Sequence, residues 1–109
     1  MENSNGLPPV HPGEILREIV MPEAGMTVTA AAKALGISRQ MFHAILAGRK
    51  PLSAAMCLKV AKMFGSSPET WMHLQAGYDL KRAAQDKKLM KSIARIPSVK
   101  ASEETTALR

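Results

Sequence analysis

The chain has 109 residues, 46% of them apolar but only 4% aromatic, and carries a net charge of +6. That length supports one domain with a modest core, and the Met- and Ala-rich, aromatic-poor mix suits small, closely packed helices rather than a sheet. The charge favours a polyanionic partner, nucleic acid before a membrane surface. A single cysteine, Cys57, excludes an intrachain disulfide and fits a reducing compartment.

The first ten residues, M-E-N-S-N-G-L-P-P-V, are rich in breakers, hold no Lys or Arg, and read as a flexible N-terminal arm without a DNA role. They are no signal peptide, and no apolar run approaches transmembrane length. The expectation is a soluble, cytoplasmic protein with no membrane partner. His11-Pro12-Gly13-Glu14 reads as a helix start, with His11 a capping or loop residue, Pro12 in the first turn and Glu14 near the positive end of the dipole. Ile15, Leu16, Ile19 and Val20 make the apolar stripe of that helix, and Pro22 is expected to end it.

Residues 27–48, T-V-T-A-A-A-K-A-L-G-I-S-R-Q-M-F-H-A-I-L-A-G, are the stretch the rest of the chain is built to hold. They read as two short helices joined at Gly36-Ile37, crossing through Ala31, Ala32, Leu35, Ile37, Phe42 and Ile45. Thr27 is the N-cap of the first helix and Ser38 of the second, and Gly36 can take the positive φ of a sharp turn. This is the spacing of a helix-turn-helix, whose second helix enters the major groove; an ordinary helical hairpin in an all-α core is the alternative.

The polar face of the second helix gathers Arg39, Gln40 and His43 near its N-terminal half, where a recognition helix meets base edges. Arg suits guanine O6/N7 and Gln suits adenine N6/N7, both bidentate, and Ala44 one turn on can meet a thymine methyl. A merely solvated face would show the same residues. Gly48 is a natural stop, Pro51 prevents the helix resuming, and Arg49 and Lys50 are placed to clamp phosphates without reading sequence.

Residues 53–64 make a fourth helix with Met56, Val60, Met63 and Phe64 on its stripe and Cys57 in the core. Ser67, Pro68 and Glu69 open a fifth. That fifth helix carries Trp71, Leu74 and Tyr78 on one side, and Met72, Ala76, Leu80 and Ala83 nearly opposite. One small domain has one core, so the second stripe either stays exposed or forms a two-fold dimer contact, the reading taken here. The fifth helix is expected to run to about Lys88. Residues 89–109 then read as a basic, mobile C-terminal tail, either without a role, or touching nucleic acid non-specifically, or ordering on a partner.

There is no P-loop, dinucleotide fingerprint, H-E-x-x-H, C-x-x-C or G-x-S-x-G. His11, His43 and His73 lack metal-ligand spacing, and no acidic pair suggests general acid–base work. The expectation is no enzyme, no catalytic residue, no cofactor and no metal.

Three pieces together resemble a known family: H-P-G-E-I-L-R-E at residues 11–18, the helix-turn-helix with S-R-Q at 38–40, and G-S-S-P-E-T-W-M-H-L-Q-A-G-Y-D-L at 65–80. They are similar to HigA-type antitoxins, or plasmid-maintenance antidote proteins, of the Xre or lambda-repressor-like helix-turn-helix group. The resemblance covers about residues 11–82. It implies an all-α, five-helix domain over residues 11–88 that dimerises through its fifth helix and represses its own operon at an inverted repeat of double-stranded DNA. It also implies direct binding and neutralisation of a RelE-like ribonuclease toxin. On this chain the reading positions fall at Ser38, Arg39, Gln40 and His43, with backbone contacts at Thr29, Ser38, Arg49 and Lys50. Ala30, Ala31 and Ala34 depart from the more polar first motif helix of many members. A stand-alone repressor without a toxin, and a protein-interaction module that leaves DNA alone, are the alternatives.

Overall fold

The computed structural model describes residues 8–99. These residues form six helices and no strand. Residues 1–7 of the expected arm and residues 100–109 of the expected tail lie outside the described residues.

Helix α1 is continuous through three abutting pieces, an α-turn Pro12–Ile15, a π segment Leu16–Val20 and an α-turn Met21–Ala24. His11 is its N-cap, with Nδ1 accepting the Gly13 N–H at 2.8 Å, as the sequence leads one to expect. Pro22 does not end the helix. The wide turn places the Met21 N–H on the Leu16 carbonyl, five residues back, just ahead of the proline. Pro22 then sits in the first turn of the following α piece, where a missing N–H costs little. The helix stops instead at Gly25, which has φ 66° and reaches back to the Met21 carbonyl. The wide turn also breaks the expected stripe: Leu16 is fully buried and Ile15 and Val20 are half-buried, but Ile19 is 54% exposed.

Helices α2 (Val28–Leu35) and α3 (Arg39–Leu46) are the expected pair. Thr27 Oγ1 accepts the Ala30 N–H at 3.1 Å and Ser38 Oγ accepts the Met41 N–H at 2.9 Å, so each helix begins at its predicted cap. Gly36 takes φ 76°, and the Ile37 N–H closes on the Ala32 carbonyl at 3.0 Å. Ala31, Ala32, Leu35, Phe42 and Ile45 are all buried where the helices meet. Two alanines at the crossing let the backbones approach, and enlarging either would overpack the core by about 1–3 kcal/mol.

Helix α4 (Ala54–Phe64) and helix α5 (Pro68–Ala84) lie against each other and close the core. Ser53 and Ser67 cap them. Met56, Cys57 and Val60 of α4 and Trp71 of α5 complete a cluster that begins with Leu16 and includes Phe42, Ile45, Leu46 and Leu52. Burial pushes the Cys57 thiol above its ordinary range, as suits a core residue rather than a reactive one.

The fifth helix does not reach Lys88. It ends at Ala84, and Asp86 caps a sixth helix, α6 (Lys87–Ala94), by accepting the Leu89 N–H at 3.1 Å. A helix thus replaces the start of the expected tail. Leu89, Met90 and Ile93 share one side of it with Lys87, Lys88 and Lys91 on the other, yet none of its residues is buried.

Candidate nucleic-acid interface

The interface is built around α3. Its inner side is anchored by Phe42, Ile45 and Leu46, none more than 5% exposed, which fixes which way the opposite side faces. Arg39, Gln40 and His43 are all exposed on that opposite side, within two turns of the capped N-terminus. Ala44 is half-buried, and its carbonyl accepts the N–H groups of Arg49, at 2.8 Å, and Lys50, at 3.2 Å. Those two bonds fold the chain back at Gly48, which has φ 78°, so the cations of Arg49 and Lys50 are presented, exposed, just past the end of α3.

Ser38 is exposed and uses its hydroxyl oxygen as the α3 cap, which leaves the hydroxyl proton for an outside acceptor such as a phosphate. Thr29 is exposed on α2. The eight DNA-facing residues named from sequence are therefore all solvent-accessible, Ala44 the least so. Met41, 36% exposed beside Gln40, was not singled out from sequence. Its place on the apolar-to-polar boundary of α3 gives it no clear periodic signal.

Sequence reasoning also missed what holds α3 in place. The N-terminal turn of α1 meets the C-terminal turn of α3 so closely that a Cβ on Gly13 would lie 1.8 Å from the Ile45 carbonyl oxygen. Arg17 Nη1 donates to the Leu46 carbonyl at 2.8 Å, capping the negative end of the α3 dipole. Beyond the turn, Gln75 of α5, only 4% exposed, accepts the Leu52 N–H at 2.8 Å and donates to Asp79 Oδ1 at 3.0 Å. Helix α3 and the loop after it are thus held from α1 and from α5.

On α5, Met72 packs in part against the chain's own core, while Ala76, Leu80 and Ala83 are exposed, Leu80 to 73%. Among the described residues no group of His, Cys, Asp and Glu is placed to hold a metal ion. No helix among them is long and apolar enough to cross a membrane.

Residues 16–71 match the helix-turn-helix family HTH_3. Virulence-associated protein I of Dichelobacter nodosus is 39% identical over 83 residues, 76% of this chain and 77% of that protein. Among solved structures, antitoxin GraA superposes with a TM-score of 0.79 at 36% identity, over 86% of this chain and 100% of the other. The Pseudomonas aeruginosa antitoxin HigA with the higBA promoter superposes with a TM-score of 0.74 at 33% identity, over 84% of this chain and 98% of the other. The family match runs from α1 through the capped pair α2–α3 to the start of α5, and the chain belongs to the Xre-like helix-turn-helix family, among the relatives of the HigA and GraA antitoxins.

Proposed function

We propose that this protein is a sequence-specific DNA-binding antitoxin of a type II toxin–antitoxin system, acting by binding rather than by catalysis. It represses its own operon at an inverted repeat, and it neutralises a RelE-like ribonuclease toxin by direct contact. The observation that carries the reading is the capped α3, which turns Arg39, Gln40 and His43 outward while its apolar side is locked in the core. Arg39 and Gln40 read base edges, His43 and Ala44 extend the contact, and Thr29, Ser38, Arg49 and Lys50 hold the backbone. The structure of a similar antitoxin with its promoter supports the DNA half of the reading.

A homodimer formed through Met72, Ala76, Leu80 and Ala83 would set two recognition helices about one DNA turn apart, roughly 34–36 Å, which is why the operator is an inverted repeat. The exposure of Leu80 supports that surface.

Two measurements test the reading. Footprinting on the chain's own upstream region should reveal protection of a palindrome. The small adjacent reading frame, expressed alone, should arrest growth, and this protein should restore growth and co-purify with its product. A protected palindrome beside a harmless neighbour would reduce the function to that of a stand-alone repressor; no protection, with salt-insensitive behaviour, would favour a protein-interaction module.

A further inference from the structure

His11 does more than cap α1. Its side chain is 5% exposed and lies where three elements meet. Nδ1 accepts the Gly13 N–H of α1 at 2.8 Å, and the ring N–H faces the backbone carbonyl of Lys50. The imidazole lies over Gly48, where an added Cβ would come within 3.6 Å of His11 Cβ and Cγ. Tyr78 of α5 meets the ring edge-on, with centroids 4.7 Å apart and planes at 77°. One neutral ring therefore joins the start of α1, the turn that carries Arg49 and Lys50, and α5.

We infer that His11 is a positioning residue for the phosphate clamp: its neutral imidazole latches residues 48–50 to α1 and α5, and protonating it opens the latch on its α1 side, at Gly13. The inference rests on the DNA-binding reading above. The chemistry follows from the ring's two nitrogens. A neutral imidazole accepts at Nδ1, here from Gly13, and turns its other N–H toward the Lys50 backbone. The imidazolium has two donors and no acceptor, so its Nδ1 proton would confront the Gly13 N–H.

The charged groups around the ring pull in both directions. Asp79 on α5 and the Lys50 backbone favour the imidazolium, and Glu14 on α1 has the same sign as Asp79. Arg17 on α1 opposes it, the Arg49 and Lys50 side chains on the turn carry the same charge but are exposed, and Tyr78 lies edge-on to the ring. Burial outweighs both Asp79 and the Lys50 backbone and holds the His11 pKa below its ordinary 6.5. A depressed folded-state value means that the unfolded chain takes up the proton first. The latch is intact above 6.5 and is lost as pH falls from there through the lowered value.

The test compares wild type, His11→Ala and His11→Gln, whose amide can both accept and donate. Fluorescence anisotropy on the upstream-region duplex and on a random duplex reads the clamp, and amide NMR reads the latch without DNA. At about pH 7.5, His11→Ala should bind both duplexes about tenfold more weakly, and His11→Gln should return to within about threefold of wild type. On acidification to about pH 5.5 wild type should lose affinity relative to His11→Gln, since His43 and His73 are common to both. In the NMR titration the amides of Gly13, Arg49 and Lys50 should shift with one midpoint below 6.5 and exchange faster on its acid side, in wild type only.

Equal affinity of His11→Ala and wild type, or one pH profile shared by wild type and His11→Gln, would overturn the inference. If His11→Ala does not fold, the wild-type and His11→Gln profiles decide. If wild type binds neither duplex, the DNA reading fails and the amide titration alone judges the latch: a common midpoint supports it, and independent behaviour of Gly13 and Lys50 overturns it.

Discussion

Gly13 and Gly77 both lie inside helices, and replacing each by alanine should change stability in opposite directions. At Gly13 the new Cβ would sit 1.8 Å from the Ile45 carbonyl oxygen and 2.8 Å from its carbon. The shortest comfortable C···O contact is about 3.3 Å, so α1 and α3 must part by about 1.5 Å. The obstacle is backbone, and no side-chain rotation relieves it. Overpacking of this kind costs about 1–3 kcal/mol, and disturbing the His11 cap adds about 1 kcal/mol. The better helix propensity of alanine returns about 1 kcal/mol. The net expectation is a loss of about 2 kcal/mol, or a fall in Tm of about 10 °C for a domain of this size. At Gly77 nothing lies within 4 Å of the added carbon, and φ is not positive, so alanine should stabilise the protein by about 0.5–1 kcal/mol. Urea denaturation of the three proteins, with thermal melts as a second probe, reads both signs. A Gly13→Ala protein as stable as wild type would refute the account of how α1 seats the recognition helix.

Two further substitutions probe the surfaces around that helix. Arg17→Met keeps the aliphatic stem but removes the donor to the Leu46 carbonyl, and should lower stability by about 1 kcal/mol in the same urea assay; an unchanged midpoint would mean that water replaces the guanidinium without loss. Leu80→Asp places a charge in the centre of the exposed α5 stripe. Wild type should sediment as a dimer at about tens of micromolar and Leu80→Asp as a monomer, and equal sedimentation of the two would remove that stripe as the contact.

The helix-turn-helix was legible because its signals are local. Thr27, Ser38 and Ser67 cap the helices predicted for them, and Gly36 takes the left-handed turn that its place between two apolar stripes demands. The outward face of α3 followed from periodicity alone, since burying Phe42 and Ile45 leaves Arg39 and Gln40 nowhere else to go. The parts that stayed hidden depend on partners distant in sequence or on a shift of register. Pro22 reads as a stop, and only the π segment before it lets the helix continue. Gly13 is needed for a backbone-to-backbone contact with Ile45, which leaves no apolar pattern. Gln75 looks like a surface residue until the Leu52 amide is found beside it. Helix α6 went unread because its three large apolar residues sit among lysines; the missed signals were Asp86, a cap three residues ahead of Leu89, and Pro97, three residues past the last turn.

In the proposed function, α3 reads sequence while the turn after it grips the backbone. Anisotropy titrations of wild type, Arg39→Ala and Lys50→Ala, on the protected upstream duplex and on a random duplex over a range of salt, separate the two roles. Arg39→Ala should lose about 1–3 kcal/mol on the specific duplex and little on the random one. Lys50→Ala should weaken both alike and reduce the salt slope by about 1. Equal losses on both duplexes for Arg39→Ala, or no salt-dependent binding by wild type, would contradict the account.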